Sequence, residues 1–229
     1  MGKTVLLIPG WHEKAHDLRT ITHGRPPLPG LAARGFDPIT FELRQESLPE
    51  RIDRFARFVR ELKLREPDRF PAILVGYSMG AIVSLIAASH EPRIRRLIIG
   101  GVGAGVVERG GVDTRAISSD ALRAALIADD PSTITNRVAA GFRTFADSTG
   151  ADRWALAAQA ASVHRESIDL ERITAPTLVL VGRSDDLAVR PQVLAGAIPG
   201  AELLIIDGDH LGAVGVPAFA TAIVDFING

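Results

Sequence analysis

The sequence has no cysteine, which excludes disulfides, thiolate metal ligands and a cysteine nucleophile. Neither sign of charge dominates, with 26 lysines and arginines against 27 aspartates and glutamates. No basic run or acidic tail indicates binding to nucleic acid or to an anionic membrane. The apolar run at the start ends at Pro9 and Gly10, which makes it too short for a signal-peptide core or a membrane span. We therefore expect a cytoplasmic protein that does not insert into membranes.

Length and apolar content are those of one globular domain over residues 1–229, with 46% hydrophobic and 23% charged residues. Short, continuously apolar runs are each followed by turn residues and a helical pattern, as is typical of parallel strands covered on both faces. This order predicts an α/β fold with a doubly wound, mostly parallel sheet of about six strands. The predicted strands are residues 5–8, 36–41, 72–75, 97–99, 177–181 and 202–206, and the predicted helices are 28–34, 48–64, 81–89, 190–197 and 217–227.

Residues 102–167 interrupt this alternation, because they show helical patterns and no convincing strand. Two interpretations stay open: a helical layer that covers the sheet, or an inserted helical lid over a site at the carboxyl ends of the strands. We favour the lid. The glycine-rich stretch at residues 100–111 matches no phosphate-binding motif, and we expect a flexible lead-in to the lid within which no helix begins.

The stretch GYSMG, residues 76–80, is a G-x-S-x-G motif between a predicted strand and a predicted helix. A serine on such a sharp turn projects its hydroxyl, and the flanking glycines Gly76 and Gly80 remove side chains that would collide with the strand and the helix. The helix that follows directs its N-terminus at the place where negative charge develops during acyl transfer. Ser78 is therefore a candidate nucleophile, with a purely structural turn as the alternative.

A nucleophilic serine needs a base that is held by a carboxylate. Asp185 and Asp186 follow one predicted strand, and His210 follows the last one, so their loops would open at the same edge of the sheet as Ser78. Each carboxylate could instead be an ordinary turn residue, and the histidine could be an ordinary surface residue.

In their order and context these motifs resemble the α/β-hydrolase fold superfamily, and the resemblance runs nearly from end to end of the chain. ITAPTLVLVGRSDD is similar to the family's acid-bearing strand, and GDHLG is similar to the surroundings of its catalytic histidine. The family usually carries its acid three residues after the glycine at the strand end. This resemblance implies a triad of Ser78, Asp185 and His210, with Asp186 in reserve.

The resemblance also implies an oxyanion hole made by the backbone N–H groups of Trp11 and Met79. In the family, His-Gly commonly follows the first strand of this kind, whereas this chain has Pro9 and Gly10 there. We expect Trp154, Leu187 and Leu211 to line an apolar acyl pocket, and His12 and His16 to line its mouth.

The sequence thus predicts a serine hydrolase of esterase or lipase type that cleaves a carboxylic ester or a related acyl bond through an acyl-enzyme. We expect a small-molecule acyl substrate and no metal or cofactor. A non-catalytic binding protein of the same fold is an alternative.

A second alternative comes from HEKAH, residues 12–16, which matches the H-E-x-x-H signature of zinc proteases. His12 and His16 would hold the metal, and Glu13 would be the general base. Zinc binding needs both histidines on one face of an established helix, but the stretch directly follows a strand and the breaker pair Pro9 and Gly10. We therefore expect this stretch in the loop beside the oxyanion hole rather than at a metal.

Overall fold

The computed structural model describes residues 3–8, 36–40, 48–65 and 72–229. In chain order its strands are β1 (Lys3–Ile8), β2 (Phe36–Thr40), β3 (Ala72–Tyr77), β4 (Ile94–Gly100), β5 (Thr177–Gly182) and β6 (Glu202–Ile206). Within the described ranges these strands form one sheet in the order β2-β1-β3-β4-β5-β6, and every neighbouring pair is parallel. The α/β fold class that the sequence predicts is confirmed.

The helices alternate with the strands except between β4 and β5. They are α1 (Leu48–Arg65), α2 (Met79–His90), α3 (Ala104–Arg109), α4 (Ser119–Ile127), α5 (Arg137–Thr149), α6 (Arg153–Ala161), α7 (Pro191–Ala197) and α8 (Pro217–Asn228). None of the helices within the described ranges is long and apolar enough to cross a bilayer. The helix expected at residues 28–34 lies outside the described residues.

The central strands present their side chains alternately to two cores, one on each face of the sheet. In β3, Leu74 belongs to the core that contains Phe55 of α1 and the buried apolar residues of α2. Its neighbours Ile73 and Val75 belong to the core that contains Ile223 of α8. Because both faces are covered, β3 and β5 and the second half of β4 are continuously apolar, whereas the exposed or half-buried start of β4 carries Arg95 and Arg96.

Helices α3 to α6 lie within residues 102–167, which we call the helical segment. Helices α4, α5 and α6 pack around a third apolar core. This core includes Leu187 from the loop after β5 and contacts Met79 at the start of α2 and Leu211 from the loop after β6. The helical segment therefore packs over the edge of the sheet at which the strands end.

A buried arginine ties the end of α4 to α5. Arg143 donates hydrogen bonds to the carbonyl oxygens of Ala125 at 3.1 Å and Ala128 at 2.6 Å. It also pairs with Asp147, one turn further along α5, at 2.8 Å. The last carbonyl groups of a helix have no partner within the helix, so this guanidinium satisfies acceptors that burial would otherwise leave costly.

The glycine-rich stretch at residues 100–111 is not a helix-free lead-in, and our expectation for it is wrong. It contains α3, which ends at Gly110 in the left-handed conformation with φ 74°. A β-carbon on Gly103 would lie 2.4 Å from the carbonyl oxygen of Val189, and one on Gly105 would lie 2.8 Å from the backbone of Asp113. These glycines allow close packing of backbones, which composition alone does not distinguish from flexibility.

Candidate active site

The turn between β3 and α2 holds Ser78 in a strained backbone conformation. Its φ of 54° and ψ of −120° are unusual for a residue with a side chain. The backbone N–H of Ser78 is held by the carbonyl oxygen of Gly100 at 2.8 Å. A β-carbon on Gly76 would lie 2.3 Å from the Ser84 hydroxyl oxygen and 2.4 Å from the Gly80 carbonyl oxygen, so the tight turn requires glycine there.

Three side chains from separate loops form one hydrogen-bonded chain at this edge of the sheet. The Ser78 Oγ lies 2.9 Å from the Nε2 atom of His210. The Nδ1 atom of His210 lies 3.0 and 2.9 Å from the two carboxylate oxygens of Asp185. Because a carboxylate only accepts, Nδ1 carries the proton, and Nε2 is left to accept from the serine hydroxyl.

The carboxylate of Asp185 is fully buried, and its own loop fixes its orientation. The side chain of Asp185 is 0% exposed. One of its oxygens also accepts the backbone N–H of Leu187 at 2.9 Å, and the backbone N–H of Asp185 donates to the Gly182 carbonyl oxygen at 3.0 Å. The neighbouring Asp186 is partly exposed and pairs instead with Arg137 of α5. The structure thus brings Asp185, and not the reserve Asp186, to His210.

The imidazole of His210 lies between two aromatic rings that sequence reasoning did not assign to the site. Its centroid is 5.4 Å from that of Tyr77, at the end of β3, and 5.8 Å from that of Phe142, on α5. A β-carbon on Gly101, where φ is 66°, would lie 2.7 Å from the Tyr77 ring and 3.1 Å from the His210 ring. The available signal was the position of Tyr77 within GYSMG, but nothing in the sequence pairs it or Phe142 with His210.

The Tyr77 hydroxyl fixes the loop that carries the histidine. It donates to the backbone carbonyl oxygen of His210 at 2.7 Å. Burial, and then the negative charges of Asp185 and Asp209, raise the pKa of Tyr77 well above its usual value. The hydroxyl therefore keeps its proton and remains a hydrogen-bond donor over the whole neutral and mildly alkaline range.

Two cavities meet beside the triad, and Phe142 and Leu187 line both of them. The cavity that Ser78 and Met79 line, here the Ser78-side cavity, has about 70 Å³ accessible to water-sized groups and is walled mainly by residues of the helical segment, both apolar and polar. The cavity that His210 and Leu211 line, here the His210-side cavity, has about 60 Å³ accessible to water-sized groups and a more polar rim. The arrangement thus offers separate space on either side of the Ser78–His210 hydrogen bond.

Of the residues expected to line the pocket, some line the two cavities, one does not, and the others lie outside the described residues. Leu187 lines both cavities, and Leu211 lines the His210-side cavity. Trp154, near the start of α6, is 68% exposed and is not among the residues that line either of these cavities. The other expected site residues, Trp11, His12 and His16, together with Glu13 of the HEKAH motif, lie outside the described residues.

The oxyanion-hole expectation rests in part on described residues. Met79 is the first residue of α2, so its backbone N–H belongs to the helical turn that carries the partial positive charge of the helix N-terminus. No group of three or more histidine, aspartate and glutamate side chains that could hold a metal ion occurs within residues 3–8, 36–40, 48–65 and 72–229.

Comparison with known proteins identifies a sequence family and several similar folds. The sequence model of the alpha/beta hydrolase family matches residues 5–221. No curated protein matches the chain significantly in sequence.

Solved structures align over the full length of the chain. A hydrolase from Pseudomonas aeruginosa is 23% identical, with a TM-score of 0.71 and coverage of 100% of this chain and 91% of the other. A thermophilic esterase from Thermogutta terrifontis is 21% identical, with a TM-score of 0.69 and coverage of 100% and 90%. An enol-lactonase from Burkholderia xenovorans is 20% identical, with a TM-score of 0.68 and coverage of 100% and 92%. At these identities the likeness shows a shared fold.

Proposed function

The chain belongs to the alpha/beta hydrolase family, and from that premise we propose that it is a serine hydrolase that cleaves a carboxylic ester or a related acyl bond through an acyl-enzyme. The observation that carries this proposal is the continuous hydrogen-bonded chain from Ser78 Oγ to His210 and on to Asp185, with separations of 2.9–3.0 Å. Such distances are those required between a nucleophile, its general base and the group that orients the base.

In the proposed reaction the hydroxyl of Ser78 attacks the acyl carbonyl carbon while His210 Nε2 takes the hydroxyl proton. The same nitrogen then gives the proton to the leaving oxygen as the bond between carbonyl carbon and leaving group breaks. Water, activated in turn by His210, releases the acyl group and restores the serine. Asp185 holds the imidazole in one tautomer and stabilises its charged form throughout.

The negative charge of the tetrahedral intermediate needs preorganised donors. We assign this role to the backbone N–H of Met79, at the N-terminus of α2, and to that of Trp11, which lies outside the described residues. Each donor of this kind lowers the barrier by about 3 kcal/mol in comparable enzymes.

The acyl group, in this proposal, occupies the Ser78-side cavity. Its lining by Met79, Ile117, Leu122 and Phe142 favours an apolar acyl chain, since transfer of apolar surface from water contributes about 25 cal/mol per Å². The helical segment supplies most of this lining, so we assign it the role of a lid over the site, which extends the sequence-based interpretation of residues 102–167.

Turnover of esters by matched variants tests the proposal. We expect Ser78→Ala to lower kcat by at least about 10³-fold towards esters of graded acyl length, because the variant lacks the hydroxyl that lies within hydrogen-bond distance of His210 Nε2. The control is Ser148→Ala, which removes the hydroxyl of an exposed serine on α5 and should leave kcat close to the wild-type value.

The same assay separates the zinc alternative. A metallohydrolase that uses His12, Glu13 and His16 would lose activity to a chelator and would be insensitive to Ser78→Ala. The serine mechanism predicts the reverse on both counts, so full activity in Ser78→Ala together with loss in chelator would overturn it.

A further inference from the structure

The His210-side cavity lies where the leaving group of an acyl-transfer reaction must depart. The proton that leaves with the alcohol comes from His210 Nε2, so the alcohol portion has to lie next to this histidine. His210 lines this cavity and not the Ser78-side cavity, whereas Ser78 lines the Ser78-side cavity and not this one. Phe142 and Leu187, which line both, form the partition between the two spaces.

We propose that the His210-side cavity is the leaving-group site and that it favours a neutral, hydroxyl-bearing alcohol portion over an anionic one. This inference rests on the serine-hydrolase function proposed above and adds the chemical class of the second half of the substrate. The cavity is small, with about 60 Å³ accessible to water-sized groups, and it opens to solvent, so it suits a small alcohol portion such as glycerol better than a bulky one.

The charges at the rim of the His210-side cavity determine whether a neutral or an anionic alcohol portion binds there. Arg137 and Asp186 line the cavity and pair with each other, so they largely neutralise one another. Asp209 also lines the cavity, and within the described residues it forms no ion pair. One of its carboxylate oxygens accepts the backbone N–H groups of Leu211 and Gly212 at 3.2 and 2.7 Å.

The described rim therefore has one uncompensated negative charge. A carboxylate accepts hydrogen bonds from alcohol hydroxyl groups and repels a second anion. Ser184 lines the same cavity, and its side chain is a hydroxyl that can both donate and accept hydrogen bonds. A neutral polyol meets partners here, whereas a carboxylate or a phosphate on the leaving group meets repulsion.

A glycine in the middle of α5 keeps the cavity open. Gly141 lines the cavity, and a β-carbon built on it has only the Leu211 Cδ1 atom within 4 Å, at 4.0 Å. Glycine in a helix interior costs about 1 kcal/mol relative to alanine, and here no close contact requires it. The open space beside Gly141 therefore identifies a position at which side-chain size should control the leaving group.

The test compares esters of one short acyl chain with three alcohols: methanol, glycerol, and glycolate as the anionic member. Wild-type enzyme should hydrolyse the glyceryl ester with a kcat/KM about fivefold above that of the glycolate ester, as expected for one partly exposed charge. Asp209→Asn keeps the acceptor oxygen of the loop and removes the charge, so it should abolish most of that difference. A glycolate ester that is preferred, or a ratio unchanged in Asp209→Asn, would overturn the proposed charge selection.

Size selection is tested on α5. Gly141→Leu should lower the ratio of glyceryl to methyl ester turnover about tenfold, because the new side chain fills the space of the alcohol. Thr144→Leu, on an exposed position of the same helix, should leave the ratio unchanged. The space also accommodates Gly141→Ala, which should lower the ratio of glyceryl to methyl ester turnover by a smaller factor and raise the melting temperature. If Gly141→Leu fails to fold, the ratio in Gly141→Ala tests the size selection instead.

Two further outcomes would reject the assignment. An equal fall of both esters in the Gly141 variants, or a shift in acyl-length preference instead of the alcohol ratio, would show that the cavity does not hold the leaving group. Failure of the serine mechanism itself gives a different result, because Ser78→Ala would then hydrolyse the methyl ester as fast as the wild type.

Discussion

Replacement of Tyr77 by phenylalanine removes one hydrogen bond to the backbone of the proposed catalytic histidine and leaves the aromatic ring in place. The lost bond is the 2.7 Å contact from the tyrosine hydroxyl to the backbone carbonyl oxygen of His210. The phenylalanine ring can keep the packing against His210 and against Phe219, whose centroids lie 5.4 and 5.7 Å from that of Tyr77. The variant therefore separates the anchoring of the His210 backbone from the packing of its side chain.

The expected loss of stability in Tyr77→Phe follows from the burial of the His210 carbonyl oxygen, which loses its hydrogen-bond donor. His210 is a buried residue, and an acceptor left unsatisfied in the interior costs about 1–3 kcal/mol of unfolding free energy. A histidine whose backbone is less firmly held spends less time 2.9 Å from Ser78 Oγ, and small misplacements of this kind cost about tenfold or more in rate. We expect kcat to fall by that factor and KM to change little.

Alkaline titration tests the burial of the Tyr77 hydroxyl separately from its effect on kcat. Tyr77 is the sole tyrosine of the chain, so tyrosinate absorbance reports this residue alone. Its pKa is raised in the folded state, so the stability that its protonated form contributes is fully present below the unfolded pKa of about 10 and is lost as pH rises above that value. The tyrosine should ionise together with alkaline unfolding, and Tyr77→Phe should weaken the fall of stability with pH above about pH 10.

The control is Phe219→Leu, which loosens the same aromatic cluster and leaves the hydrogen bond to His210 intact. It should lower stability with kcat close to the wild-type value. The reasoning is refuted if Tyr77→Phe keeps wild-type kcat while it loses stability, or if tyrosinate absorbance appears below pH 10 in the folded enzyme.

The remaining predictions concern the acid, the turn and the helical segment. Asp185→Asn should lower kcat by about 10³-fold or more, whereas Asp186→Asn should change kcat little, and comparison of the two in one ester assay checks which carboxylate serves the histidine. Gly76→Ala should sharply reduce the yield of soluble, active protein, because the new β-carbon would lie 2.4 Å from the Gly80 carbonyl oxygen. Normal expression and a wild-type kcat would contradict this. Arg143→Ala should lower the unfolding free energy by about 3 kcal/mol in urea titration, and a loss below about 0.5 kcal/mol would show that the buried guanidinium does not hold α4 to α5.

The fold was predictable because its signal is local and repeated. Each buried strand is a short apolar run, and its type follows from burial on both faces, as in β3, where Ile73 and Leu74 belong to different cores. The turn at Ser78 was predictable for the same reason, since the glycines that it needs lie within two residues of it. Its strand and helix neighbours are visible in the sequence as well.

The detail of the site was less predictable, because it depends on contacts between residues far apart in the chain. Tyr77 and His210 are separated by 133 positions, and no periodicity links them. Phe142 has a helical spacing that indicates a core residue, and only the packing of α5 over the sheet brings its ring to the imidazole. A contact of this kind depends on how the elements dock, which sequence patterning does not contain.

The roles of the glycines were the hardest to predict from composition. In the stretch at residues 100–111 glycines permit close backbone contacts around α3, although the same letters favour flexibility when they are read alone. Gly141 shows the opposite case, since no close contact demands it and its neighbourhood is open space. Three-dimensional surroundings are needed to tell these roles apart.

The central claim is that Ser78 is a nucleophile activated by His210, and covalent labelling tests it most directly. A fluorophosphonate probe, followed by proteolysis and mass spectrometry, should add one phosphonyl group to the peptide that contains Ser78. Labelling should be absent in Ser78→Ala and strongly slowed in His210→Ala, with Ser148→Ala labelled as fast as the wild type. Labelling of another residue, or equal labelling in the wild type and Ser78→Ala, would contradict the account.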